Sequence, residues 1–259
     1  MLRKLLKHDF ISVWRLAIPV FAIATGIVLF AYTMCSIESD NPVLRIFSTL
    51  LFPTGIIVLI VACVVIFCLP VLHFYRNLMT GEGYLSFTLP VTTYQIVLSK
   101  LIVGAVTMLV NLAVTIGGFL LLLSTEADLS SLSLKGLHMP DGTSPALFIT
   151  VLIVIIAIAA ICQQIYLYLA ICLGQVISKN KIIGSVLGYV IIYAINQAIN
   201  LVLLAVMLFC IGFDNLETFM ANTGNLLTFL GILAAEYLIL GTVSYILSVR
   251  ILKNRLNLN

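Results

Sequence analysis

Residues 146 to 173 read ALFITVLIVIIAIAAICQQIYLYLAICL, a run without one charged side chain, in which Thr150, Gln163 and Gln164 are the most polar members. A strand seldom exceeds about ten residues, and a soluble helix carries a polar face that this run lacks. Crossing a hydrocarbon core of roughly 30 Å at about 1.5 Å per residue takes about 20 apolar residues. The run therefore predicts a membrane-spanning helix.

Working outward, five further stretches satisfy the same criterion: Leu16 to Ile37, Phe52 to Leu72, Ile96 to Leu123, Ile182 to Gly212 and Leu226 to Val249. With Ala146 to Leu173 they predict an all-α integral membrane protein of six transmembrane helices, a single transmembrane domain over residues 1–259. Composition agrees. Hydrophobic residues make up 62% and charged residues 9% of the chain, against roughly 45 to 50% and about 25% in soluble domains. So few polar groups cannot cover a water-soluble globule. The net charge of +3 is too small to point to a nucleic acid.

Orientation follows from the basic residues, which cytosolic flanks retain. Arg3, Lys4, Lys7, Arg15, Arg76, Lys100, Lys179, Lys181, Arg250, Lys253 and Arg255 fall on one side, and only Arg45 and Lys135 on the other. Both the N and C termini are accordingly expected in the cytosol. The first apolar run, Leu16 to Met34, is longer than a signal-peptide core of about 7 to 15 residues, and is read as a retained helix.

Ahead of it, Leu2, Leu5, Leu6, Phe10, Val13 and Trp14 share a helical face, with Lys4, Lys7, His8 and Arg15 largely opposite. This pattern predicts an amphipathic elbow helix over residues 1–15, lying in the membrane interface. Asp9 and Ile11 break the stripe. Residues 213–225 mix Phe213, Leu216, Phe219 and Met220 with Asp214, Glu217 and Asn222, which suits either a re-entrant segment or an amphipathic outer cap.

Catalytic signatures are missing. There is no G-x-x-x-x-G-K-[ST] phosphate loop, no G-x-S-x-G and no H-E-x-x-H, and the six cysteines show no ligand spacing. The chain is expected to be no enzyme and to bind no cofactor; ATP-driven work would need a second polypeptide.

The cytosolic segment 73–95 is neither a short turn nor a polar linker. Gly81 and Gly83 permit a reversal, Leu85 to Leu89 can form a helical turn, Pro90 ends it, and Thr92 or Thr93 can cap the next helix. Tyr84, Leu85, Phe87 and Leu89 can then fill a groove on a partner or rest on the bilayer surface.

The run Glu82-Gly83-Tyr84-Leu85-Ser86-Phe87-Thr88-Leu89-Pro90-Val91, followed by Ser99-Lys100, resembles bacterial type-2 ATP-binding-cassette permeases, and the opening Leu5-Leu6-Lys7-His8-Asp9-Phe10 is similar to the same group. The resemblance implies the membrane-spanning permease subunit of an ATP-driven exporter, placed in the bacterial cytoplasmic membrane. It implies that residues 73–95 hold a coupling helix, with Arg76, Glu82, Gly83, Tyr84, Leu85, Phe87 and Leu89 contacting an ATPase subunit. Lys179 and Lys181 would form a smaller contact. The ATPase subunit would bind ATP and Mg, and a second permease chain, identical or homologous, would complete the complex.

Polar groups within the spans are candidates for a transport path or gate. Glu236 lies near the middle of the last span, and Asn196, Gln197 and Asn200 near the middle of the fifth. Interhelical hydrogen bonding is the competing reading, for these and for Asn111, Gln163 and Gln164. Gly184 and Gly188 suit close helix packing within the chain better than a dimer contact. A secondary transporter or the substrate-binding membrane component of an importer is the main alternative, although such carriers usually hold several intramembrane charges and inverted repeats.

Overall fold

The computed structural model describes residues 2–37, 42–79, 92–126, 144–177, 180–212, 219 and 222–254. Among them the chain forms six long α-helices and no strands: α1 (Leu2–Cys35), α2 (Pro42–Met79), α3 (Thr93–Glu126), α4 (Pro145–Ile177), α5 (Lys181–Ile211) and α6 (Thr223–Asn254). All six carry windows long and apolar enough to cross a membrane. The expected six helices of spanning length are therefore present, each beginning ahead of the stretch that hydrophobicity alone marks out, while α1 and α5 end one or two residues short of it.

Helix α1 runs unbroken through Arg15 and Leu16, with Pro19 inside it. A separate elbow helix is not seen. The apolar stripe nonetheless marks the face that α1 turns inward: Val13, Ala17, Ala24, Val28 and Ala31 continue it at helical spacing and are buried, whereas Lys4, Lys7, His8 and Arg15 are exposed. Pro19, Pro53 and Pro70 lie within helices and remove intrahelical hydrogen bonds, which membrane helices tolerate where neighbours satisfy the freed carbonyls.

The chain divides into two compact units. The first comprises Met1–Phe74 and Leu98–Gly136, hence α1, most of α2 and most of α3. Its apolar core joins Val28, Ala31, Leu59 and Leu122, flanked by Leu51, Phe52 and Ile56. Glycines let the helices approach: a Cβ at Gly118 would stand 2.9 Å from Leu59 Cδ2, and one at Gly55 3.1 Å from Leu122 Cδ1.

The second unit comprises Tyr75–Val97 and Leu137–Asn259. Here α4 packs against both α5 and α6, burying Cys162, Tyr166, Leu169, Ala170 and Ile192, with Tyr189, Tyr237, Leu240 and Ile251 around them. The backbones of α4 and α5 meet at Gly174 and Gly184: a Cβ on Gly184 would reach 2.5 Å from the Gly174 carbonyl oxygen, and one on Gly188 3.0 Å from that of Ala170. Gly184 and Gly188 are both buried, so this small-residue pair serves packing within the chain, as its sequence suggested.

Large aliphatic side chains cover the outside of every helix, including Ile23, Ile60, Val154, Val202 and Ile239. Hydroxyls within the spans turn back onto their own helices, Thr25 donating to Phe21 O at 2.7 Å, Thr107 to Val103 O and Ser248 to Ser244 O both at 2.8 Å. Such bonds satisfy donors that lipid cannot. This is the surface of a multi-pass membrane protein.

Candidate functional site

The most charged part of the interior lies in the first unit, where the beginning of α1, the end of α2 and the beginning of α3 converge. Asp9 occupies the inward line of α1 four residues before Val13, which places its carboxylate among the three helices. Its side chain is 3% exposed. A buried carboxylate persists only when donors replace its lost water, and here three do so. His73 Nε2 approaches Oδ1 at 3.1 Å, Lys100 Nζ approaches the same oxygen at 3.2 Å, and Ser99 Oγ donates to Oδ2.

The Lys100 side chain is 4% exposed, so acid and base are withdrawn from water together. The other ring nitrogen of His73, Nδ1, lies 3.4 Å from the hydroxyl of Ser12, one turn along from Asp9. Asp9 therefore ties α1 to both α2 and α3. Truncating any partner would leave another charged group poorly satisfied, which makes the cluster a single mechanical unit.

The polar chain Ser12, His73, Asp9 has the residue types of a hydrolytic triad, with Lys100 and Ser99 sharing the carboxylate that holds the imidazole. Among the described residues no group of three or more His, Cys, Asp or Glu side chains can hold a metal.

His73 and Lys100 stand on either side of the segment read as a coupling element. Thr92 sits immediately before α3, its carbonyl accepting from Gln95 N at 2.9 Å and Ile96 N at 3.2 Å, which is the expected helix-start position. In the second unit, Tyr245 of α6 donates to Tyr94 O at 3.3 Å while the two rings meet edge to face at 5.6 Å. Arg76 lies on the exposed face of α2. Glu82, Gly83, Tyr84, Leu85, Phe87 and Leu89 lie outside the described residues, as do Lys179 and, within 213–225, residues 213–218, 220 and 221; Lys181 is half-buried at the start of α5.

The intramembrane polar residues divide by their partners. Asn111 of α3 donates to Cys63 O of α2 at 3.2 Å, and Gln163 of α4 to Tyr189 Oη of α5 at 2.5 Å, so both join helices. Gln164 bonds Tyr168 Oη within α4 at 2.6 Å. Asn200 donates to Asn196 O at 3.0 Å within α5, while Gln197 is exposed. Glu236 is buried on α6, and its Oε2 meets no hydrogen-bond partner among the described residues; the same holds for the hydroxyl of Tyr166 on α4. The structure thus does not assemble Asn196, Gln197, Asn200 and Glu236 into one site.

Sequence reasoning passed over Asp9, His73 and Lys100 as a group, treating Lys100 as a solvated flank charge and Asp9 as a flaw in a stripe. The flaw was the signal: an acid on the inward line of an amphipathic helix calls for a buried base. No family model, no curated protein and no solved structure matches the chain.

Proposed function

We propose that the chain is the permease subunit of an ATP-driven exporter in a bacterial cytoplasmic membrane, with both termini in the cytosol. One observation carries the reading. The two stretches that resemble type-2 ATP-binding-cassette permeases, Leu5 to Phe10 and Glu82 to Val91 with Ser99-Lys100, are far apart in sequence, yet Asp9 of the first bonds Ser99 and Lys100 of the second. His73, at the head of the intervening segment, completes the contact.

On this reading residues 73–95 dock onto a separate ATPase subunit, which binds ATP and Mg. The segment would be pushed when the ATPase pair closes, and the cluster at Asp9 would pass that push to α1, α2 and α3 together. A rigid, charge-paired junction transmits displacement better than an apolar slip surface, because it has one low-energy arrangement. Alternating access would follow from motion of the helices around a path shared with a second permease chain. Glu236, buried with no partner for its Oε2 among the described residues, fits a path or gate better than interhelical glue.

Co-purification in mild detergent from bacterial membranes tests the proposal. An ATPase with a phosphate loop should accompany the chain; its absence under all gentle conditions would leave a self-sufficient transporter as the better account.

A further inference from the structure

Helix α1 contains one acid, Asp9, and turns it inward. There Lys100 and His73 hold the carboxylate, so it cannot neutralise the cations on the outer side of its own helix. Arg3, Lys4, Lys7 and Arg15 are all exposed, and none of them forms an ion pair among the described residues. Four cations are thus left without a counter-charge beside the membrane.

Their placement is specific. Lys7, Ile11, Arg15, Ile18 and Ala22 are exposed and follow one another at intervals of four, four, three and four residues, which makes them one line along the helix surface. The line changes from charged to apolar at Arg15, immediately before the long apolar run that begins at Leu16. Trp14, the only tryptophan of the chain, stands beside Arg15 with its ring stacked on Phe10 at 4.9 Å. Tryptophan marks the headgroup layer of a bilayer, and a long basic side chain at that depth extends toward the headgroups.

From this arrangement we infer that the outer face of α1 holds an anionic phospholipid, its phosphate against the Arg15 guanidinium and its acyl chain along Ile18 and Ala22, with Lys7 and Lys4 above it. Charge complementarity selects the occupant. A guanidinium matches two phosphate oxygens at once, and the unneutralised lysines favour a headgroup with net negative charge over a zwitterionic one. A free phosphate or an acidic peptide could meet the cations, but neither has a part for the apolar half of the line, which faces hydrocarbon. The inference requires that α1 cross the membrane and is independent of any ATPase partner.

Trp14 makes the test possible without an added label on the protein. The full-length chain is reconstituted in phosphatidylcholine vesicles, and Trp14 emission is quenched by phosphatidylglycerol or phosphatidylcholine carrying a nitroxide high on the acyl chain, at equal mole fraction. Phosphatidylglycerol is expected to bind beside Trp14 about 5-fold more tightly or better, and each cation removed, by Arg15→Gln or Lys7→Gln, should lower that preference by up to about 5-fold. Circular dichroism checks that the variants keep their helices. Arg250→Gln combined with Lys253→Gln, which removes exposed cations near the end of α6, should leave the preference unchanged. Equal quenching by the two lipids, a preference that survives Arg15→Gln combined with Lys7→Gln, or an equal loss in the α6 variant would overturn the inference. So would inorganic phosphate that abolishes the preference when chloride at the same ionic strength does not.

Discussion

Replacing Asp9 by Asn removes one charge from the junction of α1, α2 and α3 while keeping its shape and an acceptor oxygen. The structure sets the size of the effect. At 3.2 Å between Lys100 Nζ and Asp9 Oδ1, two unit charges attract by about 5 kcal/mol at an effective dielectric constant of about 20. Part of that offsets their desolvation, which the substitution does not return to Lys100. Breaking a buried ion pair from one side typically costs about 3–5 kcal/mol, and the retained acceptor places Asp9→Asn near the lower end. Lys100→Met then removes the second charge, so the double variant should recover at least about 1 kcal/mol relative to Asp9→Asn alone. Unfolding in mixed micelles, followed by helical circular dichroism as the denaturing detergent fraction rises, measures both. An Asp9→Asn variant within about 1 kcal/mol of wild type, or a double variant showing the sum of both losses, would refute the claim that the pair is buried and coupled.

Gly184→Ala should destabilise by about 1–3 kcal/mol through overpacking, since its Cβ would meet Gly174 O at 2.5 Å. Gly26→Ala, with nothing within 4 Å, should be neutral or slightly stabilising in the same unfolding assay. Asn111→Leu gives up the 3.2 Å bond to Cys63 O and should cost about 0.6 kcal/mol and no more than about 1.7 kcal/mol; a larger loss would show that Asn111 does more than join α2 to α3. Glu236→Gln should leave yield, helicity and unfolding nearly unchanged, because Oε2 meets no hydrogen-bond partner among the described residues, while reducing substrate-stimulated hydrolysis by the ATPase of the proposed complex; unchanged stimulation would remove Glu236 from the path.

Much of the fold was legible because the bilayer imposes a simple rule. Long uncharged runs such as 146–173 leave no alternative to a spanning helix, and α4 extends only a few residues past that run to Pro145 and Ile177. Helix–helix contacts were legible where chemistry is local: Gly184 and Gly188 announce close approach by lacking side chains. The Asp9 cluster was not, because it joins residues separated by 64 to 91 positions, and pattern analysis along one helix sees only an acid in the wrong place. Likewise, identical amides at 163 and 197 read alike in sequence. Tyr189 of the neighbouring helix satisfies the first, whereas the second faces outward, a distinction that only packing creates. Hydropathy placed a boundary at Leu16, yet the charged turns before it continue the same helix, because backbone hydrogen bonding does not stop where hydrophobicity does.

The central claim is that segment 73–95 docks onto an ATPase. Placing a photoreactive phenylalanine analogue at position 84 in living cells, irradiating, and identifying the adduct by mass spectrometry tests it most directly. An adduct with a protein that carries a phosphate loop, abolished by Glu82→Arg, is the predicted result. Adducts only with lipid, or with proteins that have no nucleotide-binding motif, would contradict it.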